Sequence, residues 1–145
     1  MNSVSTIIPV HKYNQTTREA ILSAINQNYA EQKIHVIVNS IEKNLINKIS
    51  TDFGQKIEIT KIDDLGVSFA RNKGIELSTS DFIAFLDSDD TWYQDKLSRQ
   101  INYMIENNYS ICGTLMDYRT NSYKSKITVG NTSNNQDFIK EARYM

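Results

Sequence analysis

Apolar positions along the chain switch repeatedly between short continuous runs and a helical period, and these switches predict an ordered series of elements. Val4–Val10 is rich in β-branched residues and contains Pro9, which cannot donate to a sheet ladder, so a first strand closes there. Ala20, Ile21, Ala24 and Ile25 keep a helical spacing toward Asn28-Tyr29, with Thr16 or Thr17 placed to cap the helix. Ile34–Val38 reads as a second buried strand. Leu45, Ile49 and Phe53 then stripe a helix that Gly54 can terminate, and Ile57, Ile59 and Ile62 mark a third strand. After the turn Asp63-Asp64-Leu65-Gly66, Val67–Leu77 reads as a short helix despite Gly74. Ile83–Leu86 is an apolar run of the kind covered on both faces, the fourth strand. Leu97, Ile101, Met104 and Ile105 define an amphipathic helix from about Trp92 to Asn107. Ser110–Tyr118 and Tyr123–Val129 are expected strands, and Gln136–Tyr144 a closing helix.

Strands alternating with helical segments imply an α/β class: three layers, a mostly parallel sheet with helices on both faces, joined by right-handed crossovers. Ligands of such sheets sit beyond the carboxyl ends of the strands, where the strand order reverses. Pro9-Val10-His11, Asn39-Ser40, Asp63-Asp64 and Asp87-Ser88-Asp89 would all reach that edge.

Composition narrows the function classes. The 145 residues suit a single domain, 1–145, able to bury a core. With 16 basic and 17 acidic residues and no basic stripe, a nucleic-acid partner is not expected. Cys112 is alone, which excludes an intramolecular disulfide, and its apolar setting favours inert burial. Neither a signal core nor a membrane-spanning run is evident, so the expected location is cytoplasmic. Both histidines are expected at the surface.

The chemistry concentrates at Asp87, Asp89 and Asp90, three carboxylates within four residues at a strand end. Such crowded like charges suit a hard divalent cation, Mg²⁺ or Mn²⁺, which completes its shell with water and phosphate oxygens. One of the three could equally cap the following helix, and spacing alone leaves both readings open.

Four segments in order carry a specific resemblance: Ser5-Thr6-Ile7-Ile8-Pro9-Val10 with Tyr13-Asn14 beyond it, Ser23-Ala24-Ile25-Asn26-Gln27-Asn28-Tyr29, Gly66-Val67-Ser68-Phe69-Ala70-Arg71-Asn72-Lys73-Gly74, and Phe82-Ile83-Ala84-Phe85-Leu86-Asp87-Ser88-Asp89-Asp90. The chain resembles the family 2 glycosyltransferases, inverting enzymes of the GT-A fold, a Rossmann-like fold that binds nucleotide-diphosphate sugars. The resemblance covers roughly residues 1–118, with 119–145 left as the start of an acceptor-side region or a tail. It implies that Asp87-Ser88-Asp89 is the DxD motif, with Asp89 on the metal and Asp87 near the ribose and the metal shell. Asp90 is then the capping acid. It also implies that Pro9, Val10 and His11 face the nucleoside, and that Arg71 approaches the nucleotide or diphosphate unless it pairs with Asp63 or Asp64. The implied partners are a nucleotide-diphosphate sugar, with a UDP-sugar expected, and a saccharide or lipid-linked acceptor. Membership suggests polysaccharide assembly and a place in the cytoplasm or at the inner face of the membrane.

Two departures qualify the resemblance. Asn39 stands where the family carries an acid that accepts a hydrogen bond from uracil; an amide can still accept from the base N–H. A carboxylate serving as catalytic base is not identified, since Asp117, Asp137 and Glu141 read as ordinary surface groups. The chain is therefore expected to be the donor-binding half of a transferase, with an exposed C-terminal edge as a candidate for pairing with a second copy. The competing reading is a nucleotide-binding or regulatory module without catalysis. A sugar nucleotidyltransferase is disfavoured, because His11-Lys12-Tyr13-Asn14 follows strand one in place of a Gly- and Arg-rich loop.

Overall fold

A computed structural model describes residues 2–63, 66–114, 117–119 and 124–126. The elements are β1 (Val4–Val10), α1 (Gln15–Ile25), β2 (Gln32–Val38), α2 (Leu45–Phe53), a 3₁₀ turn (Gly54–Lys56), β3 (Glu58–Lys61), α3 (Val67–Leu77), β4 (Phe82–Phe85), α4 (Lys96–Glu106), β5 (Asp117–Arg119) and β6 (Lys124–Lys126). The chain divides into two compact units, Met1–Asn102 and Tyr103–Met145. In the second, β5 and β6 form an antiparallel pair.

The first unit is a fully parallel sheet in the order β3-β2-β1-β4. β1 lies in the middle, in register with β2 from Val4↔Gln32 to Val10↔Val38 and with β4 from Val4↔Phe82 to Ile7↔Phe85. All seven of its residues are buried. The chain steps outward from β1 to β2 to β3 and then returns across β1 to β4. A right-handed crossover keeps its helix on one face while the steps run one way and moves it to the other face when they reverse. Accordingly α1 and α2 pack Ala20, Ile21, Ala24, Leu45, Ile49 and Phe53 against Ile8, Val10, Val36 and Val38. α3 covers the opposite face, with Ala70 against Ile7 and Ile37. α4 joins α1 and α2, placing Leu97 and Ile101 against Val4. The three-layer α/β architecture expected from the sequence is thus present.

Several local expectations are corrected. α1 is capped by Asn14, whose side chain accepts the Thr17 amide at 3.0 Å; Thr17 turns its own hydroxyl to the Lys12 carbonyl. α4 begins at Lys96 instead of Trp92. β4 is not covered on both faces: Ile83 and Phe85 are exposed, because only α3 lies on their side of this outermost strand. Residues 111–114 are irregular, and among the described residues the fifth strand is Asp117–Arg119. Cys112 is half-buried. His35 is buried, with Nε2 3.3 Å from Ser5 Oγ and Nδ1 3.1 Å from Glu58 Oε2; the latter is ion-pair distance outside hydrogen-bond geometry. Asp64, the closing helix over 136–144, Asp137 and Glu141 lie outside the described residues.

Candidate functional site

Reversal of strand order puts the switch point between the carboxyl ends of β1 and β4. The backbone there is tightly fixed. The Ile7 carbonyl accepts the Leu86 amide at 3.1 Å, the Val10 carbonyl accepts the Asn39 amide at 3.0 Å, and the Val38 carbonyl accepts the Ile62 amide at 2.9 Å. Hydrogen bonding therefore continues past the formal strand ends and carries Asn39 and Asp87 onto one edge. Pro9 and Val10 are buried, whereas His11 is exposed.

Asp87-Ser88-Asp89-Asp90 forms a turn closed by the Asp90 amide donating to the Asp87 carbonyl at 3.1 Å. Asp87 and Ser88 are half-buried; Asp89 and Asp90 are exposed. Partial desolvation, reinforced by the neighbouring charges of Asp89 and Asp87, holds the Asp90 carboxyl above the usual carboxylate range. Arg71, on α3, brings Nη2 within 2.5 Å of Asp87 Oδ1 while its guanidinium lies 5.9 Å from the Phe85 ring centroid. The alternative pair is corrected at Asp63, which stands 3.9 Å from Lys61 Nζ instead. Because Arg71 neutralises Asp87, the net negative charge of the turn resides at Asp89 and Asp90. The Arg71–Asp87 contact also ties α3 to the strand end from the opposite face of the sheet.

Among the described residues, no three His, Cys, Asp or Glu side chains converge as a metal cage. One exposed carboxylate beside a half-buried, partnered one fits the manner in which Mg²⁺ or Mn²⁺ is held by few protein oxygens together with phosphates. Asn39 supplies a different feature: it is buried, and its Oδ1 has no hydrogen-bond partner. A buried acceptor left unmatched costs about 1–3 kcal/mol, which a donor on a ligand would relieve. Sequence reasoning gave no role to Ser23 and Gln27, although both bind the segment that follows the acidic turn. Their signal was available: polar side chains in, and two residues beyond, the last turn of α1.

No helix among the described residues is long and apolar enough to cross a membrane. The chain is 34% identical over 108 residues to the Escherichia coli protein named UDP-Glc:alpha-D-GlcNAc-diphosphoundecaprenol beta-1,3-glucosyltransferase WfgD, covering 74% of this chain and 43% of that protein. The fold matches S. aureus TarS 1-349 in complex with UDP at TM-score 0.64 and 20% identity, covering 73% of this chain and 33% of that one. It also matches the mannosyltransferase PcManGT of Pyrobaculum calidifontis, in complex with GDP-Man and Mn²⁺, at TM-score 0.62 and 15% identity, over 71% and 32%. This chain spans about half the length of the curated relatives it matches, or less. The description Glycosyl transferase family 2 fits residues 5–143, from the buried central strand through the acidic turn and beyond. With that match extending over nearly the whole chain, the protein belongs to glycosyl transferase family 2.

Proposed function

We propose that this chain carries the donor site of an inverting, metal-assisted glycosyltransferase and binds a UDP-sugar at the β1–β4 switch point. The observation that carries the reading is the acidic turn at that point, faced by Arg71 and sharing its edge with the unmatched Asn39 Oδ1. In this reading the main chain of Pro9 and Val10, with His11, borders the nucleoside, and Asn39 accepts the N3–H of the base. Arg71, Asp87 and Ser88 lie against the ribose and diphosphate. Asp89, with Asp87, holds Mn²⁺ or Mg²⁺. When bound, the ion neutralises charge that grows on the departing diphosphate. Arg71 orients Asp87. Relatives whose names or structures include UDP-Glc, UDP, or GDP-Man with Mn²⁺ support a nucleotide-sugar donor and a divalent ion. The lipid-linked substrate named for the Escherichia coli relative makes a diphospholipid-linked saccharide the acceptor class to test.

The test is calorimetric titration of UDP and GDP with and without Mn²⁺, in the wild type and in Asp89→Ala and Asn39→Ala. Expected are UDP binding strengthened by Mn²⁺, loss of that strengthening in Asp89→Ala, and roughly tenfold weaker UDP binding in Asn39→Ala, the size of one lost buried hydrogen bond. GDP binding as tight as UDP would overturn the base assignment. No binding of either nucleotide would overturn the donor site.

A further inference from the structure

Between the acidic turn and α4 runs a strap, residues 91–95, with no regular secondary structure. It is attached to the last turn of α1 and the residues just beyond. The Trp92 amide donates to Ser23 Oγ at 3.0 Å, and that hydroxyl donates onward to the Ala20 carbonyl at 2.7 Å. Gln27 is 9% exposed and uses its whole amide: Nε2 donates to the carbonyls of Tyr93 at 2.8 Å and Ser23 at 3.1 Å, while Oε1 accepts the Leu97 amide at 3.0 Å. The Asn28 amide adds a bond to the Gln94 carbonyl at 2.8 Å. Leu97 belongs to the first turn of α4, where amides lack helical acceptors, so a side chain just beyond the end of α1 caps α4 from a distance.

The acidic turn is thus strung between two fixed points. Upstream, Leu86 is bonded to Ile7 in the central strand; downstream, Trp92 is bonded to Ser23 only two residues after Asp90. An exposed turn of like charges tends to splay, and an ion bound through one or two carboxylates depends on their placement before it arrives. We propose that Gln27, assisted by Ser23, is a positioning residue that pre-sets Asp89 for metal-bound donor through the strap, without touching donor or metal. This role rests on the donor-site reading above. The anchoring itself does not.

Two measurements separate these levels. Amide hydrogen exchange in Gln27→Leu, which keeps the side-chain volume and removes all three bonds, should show about tenfold faster exchange over 90–94 while β1 and β2 keep their protection. Unchanged exchange over 90–94 overturns the anchoring. Ser23→Ala, a milder change that removes the Trp92 anchor together with the hydroxyl's bond to Ala20, should show the same pattern to a smaller extent. Calorimetry then reads function: Gln27→Leu should need about tenfold more Mn²⁺ to half-saturate UDP binding, with UDP affinity in the absence of Mn²⁺ unchanged. Gln27→Glu, which still accepts from Leu97 but cannot donate, should fall between. Ile49→Ala, a core change in α2, controls for stability and should leave the Mn²⁺ requirement as in wild type. An equal shift in Ile49→Ala, or none in Gln27→Leu, overturns the positioning role. A wild type without any Mn²⁺ effect overturns the donor-site reading and the role built on it.

Discussion

Substituting Gly74 by alanine tests how closely α3 must approach the sheet. A Cβ at position 74 would fall 2.4, 2.8 and 2.9 Å from Cγ2, Cγ1 and Cδ1 of Ile7. Ordinary contact begins at 3.4 Å, so the nearest pair is about 1 Å too close. Ile7 cannot retreat: it is fully buried in the central strand, packed with Ile37 and Ala70. The helix must lift instead. Overpacking of this kind costs about 1–3 kcal/mol, while exchanging Gly for Ala inside a helix returns about 1 kcal/mol. The close approach of three atoms at once favours the upper part of that range, giving a net loss of about 1–2 kcal/mol. Urea unfolding followed by fluorescence of Trp92, the sole tryptophan, measures it. In an Ile7→Ala background all three obstructing atoms are gone, so Gly74→Ala should there be neutral or stabilising by up to about 1 kcal/mol. Arg71 sits one turn earlier on α3, so lifting the helix should also lengthen its 2.5 Å contact with Asp87. A Gly74→Ala protein as stable as wild type, or an equal cost in both backgrounds, would refute the reasoning.

Two further outcomes concern pH. Tyr13 donates its hydroxyl to Asp52, which Arg18 also approaches, and burial followed by that bond holds the phenol well above its ordinary range. Tyr13→Phe should cost about 0.5–1.5 kcal/mol at neutral pH. Since the folded state keeps the phenol proton longer than the unfolded one, wild type should lose this advantage as pH rises beyond about 10, whereas Tyr13→Phe lacks that component. Asp81 accepts the amide and hydroxyl of Ser3, and these bonds hold its carboxyl below the usual range. Its contribution is present above the unfolded value of about 3.9 and disappears as pH falls through the folded one. Urea midpoints of wild type and Asp81→Asn should therefore converge as pH falls from neutrality through the folded value of Asp81; a gap that stays constant over the whole acid range would contradict the assignment.

The parts of the fold legible in sequence are those set by neighbours along the chain. Leu45, Ile49 and Phe53 announce α2, and Gly54, at φ 51°, ends it as expected. What failed depends on groups brought together from afar. The apolar run of β4 does not say that this strand lies outermost, with Ile83 and Phe85 exposed on the α3 side. His35 is buried because sheet register sets it near Ser5 and Glu58, residues 30 positions before it and 23 after it. α4 starts late because Gln27 holds the strap in another conformation. At the site, the acidic turn and Asn39 were visible as residue types at strand ends. The Arg71–Asp87 pair was not, since it joins a helix on one face to a strand end 16 residues later.

The central position of β1 has a consequence for biosynthesis. The most thoroughly enclosed segment of the first unit is made before the three strands it is sheeted with, and its second neighbour, Phe82–Phe85, follows 78 residues later in register. Until then one edge of an apolar strand is open to other chains, and the loop that must close to protect it is among the longest in the unit. The stretch of synthesis between β1 and β4 is thus the interval of greatest aggregation risk, and substitutions that slow closure of β4 onto β1 should reduce soluble yield in cells more than they lower the stability of the purified protein.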